Sequence, residues 1–160
     1  MRIRTATEAD FEPILNLVNA AFHVERTFKN QDRLTAADLE SYFKTGIFLI
    51  SEDAGQITGC IYVKHNRERA YFGLLAIDPS RQKTGLGRRL VAAAEEFARE
   101  TGARFMDMKF IHLRTELPGI YARLGYHVTG TEAYPPERHH MLTQPVHFIC
   151  MSKELGHREE

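Results

Sequence analysis

The segment Leu75-Ala76-Ile77-Asp78-Pro79-Ser80-Arg81-Gln82-Lys83-Thr84-Gly85-Leu86-Gly87-Arg88-Arg89 changes character three times. An apolar run stops at Pro79, a donor-rich turn follows, and Gly85 and Gly87 open a long helix. Leu86, Leu90, Ala93, Ala94 and Phe97 recur at helical spacing, and Gly102 closes the pattern. Another strand-like run follows from Arg104 to Ile111. Strand, helix and strand in succession predict a βαβ unit with parallel strands.

Upstream of this unit, Ile47 to Ser51 and Gln56 to Lys64 flank Asp53-Ala54-Gly55, which predicts a hairpin. A turn from His65 to Arg69 then leads into a third run, Ala70 to Asp78. Three strands in a row predict an antiparallel meander, so the sheet as a whole is mixed. At the start, a short strand around Arg2 to Thr5 precedes Thr7, which caps an amphipathic helix over residues 8–22. Residues 23–34 are aperiodic and predict a loop. Thr35 with Asp38 predicts the cap of a second helix that Gly46 ends. Past the βαβ unit, Pro118 suits the first turn of a short helix carrying Ile120, Tyr121 and Leu124, with Gly125 at its stop. Tyr126 to Ala133 and Val146 to Ser152 predict the last strands, around a loop with Tyr134-Pro135-Pro136 and His139-His140. The reading is one α/β domain over residues 1–155, with 156–160 a flexible C-terminal tail.

Composition sets the outer bounds. The chain has 160 residues, 21 Lys and Arg against 21 Asp and Glu, and 43% hydrophobic residues. That is ordinary for one globular domain and excludes extensive disorder. A net charge of zero argues against a broad nucleic-acid-binding surface. No apolar run is long enough to span a bilayer, and Met1-Arg2-Ile3-Arg4 does not begin a signal peptide. Cys60 and Cys150 are the only cysteines and form no C-x-x-C pair, which predicts buried reduced thiols and a cytoplasmic setting. His139-His140 lacks metal-ligand spacing, and no metal site is expected.

The turn before the long helix carries the chemistry. Its amides lie at the positive end of a helix dipole, and glycine lets an anion approach the main chain. Arg81, Lys83, Arg88 and Arg89 cluster there, so the neutral chain has one strongly basic spot. A phosphate-binding G-x-x-x-x-G-K-[ST] loop is absent. The dinucleotide pattern G-x-G-x-x-G fails because Leu90 stands at its last position. No aromatic lies between Phe72 and Phe97, against a nucleic-acid patch. Taken alone, Gly85 and Gly87 are equally well read as helix-start glycines.

Gln82-x-x-Gly85-x-Gly87 after Leu75-Ala76-Ile77 resembles the acetyl-CoA signature of the GNAT superfamily of N-acetyltransferases. Ile120-Tyr121-Ala122-Arg123-Leu124-Gly125-Tyr126 is similar to the superfamily's aromatic-Tyr-x-x-x-Gly-aromatic segment, and Ile3-Arg4-Thr5-Ala6-Thr7-Glu8-Ala9-Asp10 to its first strand and helix. The resemblance implies a mostly antiparallel sheet, a central splayed parallel pair, about four helices, and acetyl-CoA as cosubstrate. The pantetheine arm would lie between the fourth and fifth strands, where Gly73 is compatible with a bulge. By resemblance, backbone groups of Leu75, Ala76 and Ile77 hold that arm, with the Leu75 N–H as oxyanion donor. Amides of Gln82, Lys83, Thr84, Gly85, Leu86, Gly87 and Arg88 would hold the pyrophosphate. Tyr121 matches the family's acid for the departing thiolate, or is simply a packing aromatic.

The pattern departs from better-known members in the general base. Tyr71 and Lys109 stand where carboxylates are common, and Arg114 replaces an asparagine that often touches pantetheine. Asp107, His112 and the loop histidines are candidates by chemistry alone, and a water chain serves equally. The acceptor, a small-molecule or peptide amine, would meet residues 20–34 and the Tyr134 to Pro145 loop. There Glu25 or Glu137 could bind a cationic amine, unless both are simply exposed and solvated. The alternative to an enzyme is a non-catalytic acyl-CoA-binding regulatory module. Neither nucleic acid nor membrane is an expected partner, and the oligomeric state stays open, a homodimer included.

Overall fold

The computed structural model describes residues 1–156, so the expected tail lies outside the described residues except for Gly156. Leu155 is buried and anchored, accepting from Arg99 Nε at 2.8 Å and donating to Arg104 O at 2.8 Å. Among the described residues, seven strands form one sheet: β1 (Arg2–Thr5), β2 (Ile47–Asp53), β3 (Gln56–Asn66), β4 (Arg69–Ile77), β5 (Phe105–Ile111), β6 (His127–Ala133) and β7 (His147–Glu154). Their spatial order is β1-β2-β3-β4-β5-β7-β6, antiparallel except for β4 beside β5. Four α-helices accompany them: α1 (Phe11–Ala21), α2 (Ala36–Thr45), α3 (Leu86–Glu100) and α4 (Leu117–Arg123).

The sheet is covered on both faces, which is why β3 is continuously buried from Thr58 to Val63 rather than alternating with solvent. Along β3, Cys60 and Tyr62 face one way, into a core with Ile14, Val18, Leu39 and Phe48. Ile61 and Val63 face the other way, against Leu90, Val91 and Ala94 of α3. The period-2 alternation of a strand thus feeds two separate cores.

Several local expectations change in detail. The helix expected over 8–22 starts as a 3-10 turn, Glu8–Asp10, because Asp10 accepts from Thr7 N at 2.8 Å and from Arg4 at 2.8 and 3.0 Å. The loop expected over 23–34 includes a 3-10 turn, Phe22–Thr27, and the loop after Tyr134 includes another, Pro136–Met141. Thr35 and Asp38 form the expected capping box. Gly46 ends α2 in extended backbone rather than a left-handed stop; a Cβ there would lie 2.5 Å from Val63 O. Close approach, not φ, requires that glycine. Cys60 is buried, but Cys150 is only half-buried.

Candidate active site

The βαβ unit opens the sheet at its centre. β4 and β5 pair only through Arg69, Ala70 and Tyr71 against Phe105, Met106 and Asp107. Beyond Tyr71 the two strands part, leaving the β5-facing side of β4 without a strand partner. A bulge sits at this point, one residue past Gly73. Tyr62 pairs with Gly73 and Cys60 with Ala76, so Ile61 alone faces both Leu74 and Leu75. Leu74 absorbs the extra residue with φ 50°, a left-handed value unusual for a branched side chain.

A cleft of about 770 Å³ occupies the split. Leu75 and Tyr121 both line it, although they lie on different elements. Tyr121 is buried within a ring of aromatics, with centroids at 5.9 Å from Phe72, 6.1 Å from Phe110 and 6.2 Å from Tyr126. Its hydroxyl has no hydrogen-bond partner among the described residues, whereas the Tyr126 hydroxyl donates to Glu95 at 2.7 Å. Burial pushes the Tyr121 phenol up to about 12, against a smaller opposing effect of Arg114. It therefore stays protonated at neutral pH and is suited to donate.

Ala76 is buried in the core with Ile14 and Leu39, and Ile77, facing the other way, is half-buried beneath the start of α3. The loop that follows is outside the cleft lining. Asp78 caps the turn, accepting from Ser80 N at 2.9 Å. Gln82, Lys83, Thr84, Gly85 and Arg88 are exposed, Gly87 is half-buried, and Leu86 points into the core. Gly85 is the N-cap of α3 at φ 83° and offers no side chain to its first turn. The first-turn amides of α3, Leu86 to Arg88, thus lack the usual cap. That turn holds no acidic residue, while Lys83, Arg88 and Arg89 have no carboxylate within 4.0 Å among the described residues. Arg81 alone pairs, with Asp53 at 3.1 Å. Cations at the positive end of a dipole are destabilising unless an anion joins them.

Of the candidate bases, Asp107 alone lines the cleft among the described residues, and His112, His139 and His140 do not. Asp107 lines the cleft but is held bidentate by Arg69 at 2.7 and 2.6 Å and touched by the Ser152 hydroxyl. Burial raises its carboxyl, but those hydrogen bonds outweigh it and hold the group below the usual range. His112 stacks on His147 at 4.0 Å, outside the cleft, and His139 contacts Tyr134 O at 3.1 Å. Tyr71 lines the cleft, with its phenol pushed up by burial to about 12. Lys109 is taken by Glu132.

Glu25 corrects the expectation of an exposed carboxylate. It is 5% exposed, with one oxygen 2.7 Å from Lys29 Nζ and the other 2.9 Å from Arg114 Nη1. Arg114 also reaches Glu116 at 2.6 Å. Burial pushes the Lys29 ammonium down, and Glu25 partly restores it. The four-residue spacing of Glu25 and Lys29 was visible as a pairing signal; the link to Arg114, far along the chain, was not. Glu137 stays exposed on the rim, as expected.

Residues 11–126 match the acetyltransferase (GNAT) family model, and the chain belongs to that family. It is 30% identical over 128 residues to a mycothiol acetyltransferase of Clavibacter sepedonicus, covering 76% of this chain and 40% of that one. The chain thus spans well under half the length of the curated relatives it matches. The ribosomal-protein-S18-alanine N-acetyltransferase from Escherichia coli superposes with a TM-score of 0.75 at 16% identity, over 99% of this chain and 96% of that one. The structure of yncA from Salmonella typhimurium with acetyl-CoA gives 0.73 at 21% identity, over 100% and 96%. No helix among the described residues is long and apolar enough to cross a membrane.

Proposed function

We propose that this protein is an acetyl-CoA-dependent N-acetyltransferase that acylates a primary amine of a small molecule or peptide directly. The observation that carries the reading is the meeting of Leu75 and Tyr121 in one cleft at the β4–β5 split. Family membership and a relative solved with acetyl-CoA support it. A cytoplasmic setting, where a reducing potential and acetyl-CoA coexist, fits the two unpaired cysteines.

Two features of the chain fit the cosubstrate. The uncapped start of α3, with three unmatched cations, suits a pyrophosphate. The unpaired side of β4 from Leu75 to Ile77 suits a thin polar arm such as pantetheine. When bound, the cosubstrate supplies an activated acetyl thioester. The Leu75 N–H would stabilise negative charge developing on the acyl oxygen. The Tyr121 hydroxyl, with a pKa raised to about 12, would donate a hydrogen bond to the leaving sulfur while water delivers the net proton. The C–S bond breaks as the N–C bond forms, and the proton lost by the amine leaves through water.

A second reading, an acyl-CoA-binding regulatory module without turnover, is favoured by one observation. Glu25, Asp32 and Asp107 in the cleft are all paired, and Glu137 is the one cleft carboxylate without a cation within 4.0 Å among the described residues. Incubating the purified protein with acetyl-CoA and a panel of amines separates the two. The enzyme releases thiol above the hydrolytic background with at least one amine. Tight CoA binding without thiol release from any amine decides for the module.

A further inference from the structure

One wall of the cleft carries more positive charge than the protein itself neutralises. Lys29 and Arg114 share Glu25, and Arg114 adds Glu116, so both cations are matched. Arg138 reaches Asp38 at 3.6 Å. Arg33 has no carboxylate within 4.0 Å among the described residues, although it lines the same cleft and is half-buried. Lys29, Arg33 and Arg114 therefore meet two carboxylates, Glu25 and Glu116, and one positive charge is left over. The Arg33 guanidinium lies over the Phe22 ring at 5.6 Å, with the phenols of Tyr42 and Tyr71 beside it. Lys64, the other unmatched cation of the cleft, is exposed at the rim and can remain solvated.

A guanidinium does not shed its proton, so partial burial cannot be relieved by neutralisation. Its planar fork matches the two oxygens of a carboxylate or phosphate, and ring stacking fixes its plane. Tyr71, neutral because burial raises its phenol, can donate to the same anion. All of these groups share one cleft with Leu75 and Tyr121.

We propose that the acceptor amine carries an oxyanion, a carboxylate or a phosphate, which Arg33 binds beside Tyr42 and Tyr71 while the amine reaches toward Leu75. The inference rests on the acetyl-transfer reading for its substrate, but its binding arm is independent of turnover. An unmatched anion is where a free amino acid or an aminoalkyl phosphate differs from a plain amine, so matched pairs provide the test.

Thiol release is measured with the twenty amino acids against their amides, and with phosphoethanolamine against ethanolamine. In parallel, calorimetry on the CoA-loaded protein compares the N-acetyl derivatives of the same pairs. The anionic member of at least one pair should win by about ten- to hundredfold in kcat/KM or Kd, the usual scale for a charged hydrogen bond. The amino-acid and phosphate arms show which anion is read. In Arg33→Gln the ratio within the preferred pair should collapse toward one, mainly through KM. Arg33→Lys, which keeps the charge and loses the fork, should retain an intermediate ratio.

Equal or better performance by every neutral member overturns the proposal. So does a ratio that Arg33→Gln leaves unchanged, or failure of every anionic derivative to bind. An Arg33-dependent preference in calorimetry without thiol release from any amine supports the anion site and sinks acetyl transfer. Turnover without anion preference does the reverse.

Discussion

Tyr121 and Tyr126 belong to one short segment and one aromatic cluster, yet their hydroxyls do different work. Tyr126 donates to Glu95, which also takes Lys153 at 3.0 Å, so it completes a buried polar network. Tyr121 has no such partner and opens on the cleft. Tyr121→Phe should lower kcat by about ten- to hundredfold, the range for a lost hydrogen bond to a charged group. CoA affinity should change by less than about threefold, and the urea midpoint should hold, because no intramolecular hydrogen bond is lost. Tyr126→Phe should reverse the pattern, costing about 1–2 kcal/mol of stability by leaving buried Glu95 short of a donor. Equal loss of turnover in both variants would remove the special role of Tyr121. A pH profile adds a further check. With the phenol near 12, kcat should climb as the acceptor amine deprotonates and show no fall from Tyr121 below about pH 11.

At the start of α3, two glycines two residues apart answer to different demands. Gly85 sits at φ 83° with open space around its Cα, so Gly85→Ala should destabilise by about 1 kcal/mol through backbone strain alone. Gly87 is helical, and a Cβ there would meet only Ile77 at 3.9 Å. The free protein does not require that glycine, and Gly87→Ala should stabilise it by about 0.5–1 kcal/mol. If this turn holds the pyrophosphate, the same change weakens CoA binding. A raised melting temperature with a raised Kd for CoA is the expected result; unchanged CoA affinity would place the phosphates elsewhere. Elements like α3 were legible because glycine punctuation and 3.6-residue periodicity are local. The Thr35 capping box was legible for the same reason. The bulge at Leu74 and Leu75 was not, since the local cue was Gly73 and the extra residue is fitted one step later against Ile61. Nor did local pattern reveal that β7 lies between β5 and β6, a pairing decided across the whole chain.

For the molecule as a whole, ionisable groups bracket a stable range of pH. Hydrogen bonds from Arg4 outweigh burial and hold Asp10 below the usual carboxylate range; hydrogen bonds from Ser80 do so for Asp78. Such groups stabilise the fold above their unfolded values and lose that contribution as pH falls through the folded ones. Tyr71, Tyr121 and Cys60 are raised by burial to about 12. Their contribution is complete below the unfolded values near 10 for tyrosine and 9 for cysteine, and is lost as pH rises toward 12. Urea midpoints should therefore be flat from about pH 5 to 9 and fall on both sides. A steady rise past pH 10 would contradict the burial of these phenols and the thiol. The wall of the cleft that holds Arg33 shows why the cleft was only half legible. Leu75 and Tyr121 follow motifs, but Arg33 matters through what is missing beside it, and a sequence does not display an absent neighbour.

The three-pair contact between β4 and β5 also bears on the order in which the chain assembles. β2, β3 and β4 can zip through tight turns, paying little loop-closure entropy. The contact of Tyr71 with Asp107 must instead close a loop that contains all of α3, and it gains only three residue pairs in return. The N-terminal meander should therefore condense first, with β5 and its partners docking afterwards. The split beside the cleft thus also marks where a part of the chain that assembles early meets one that docks later.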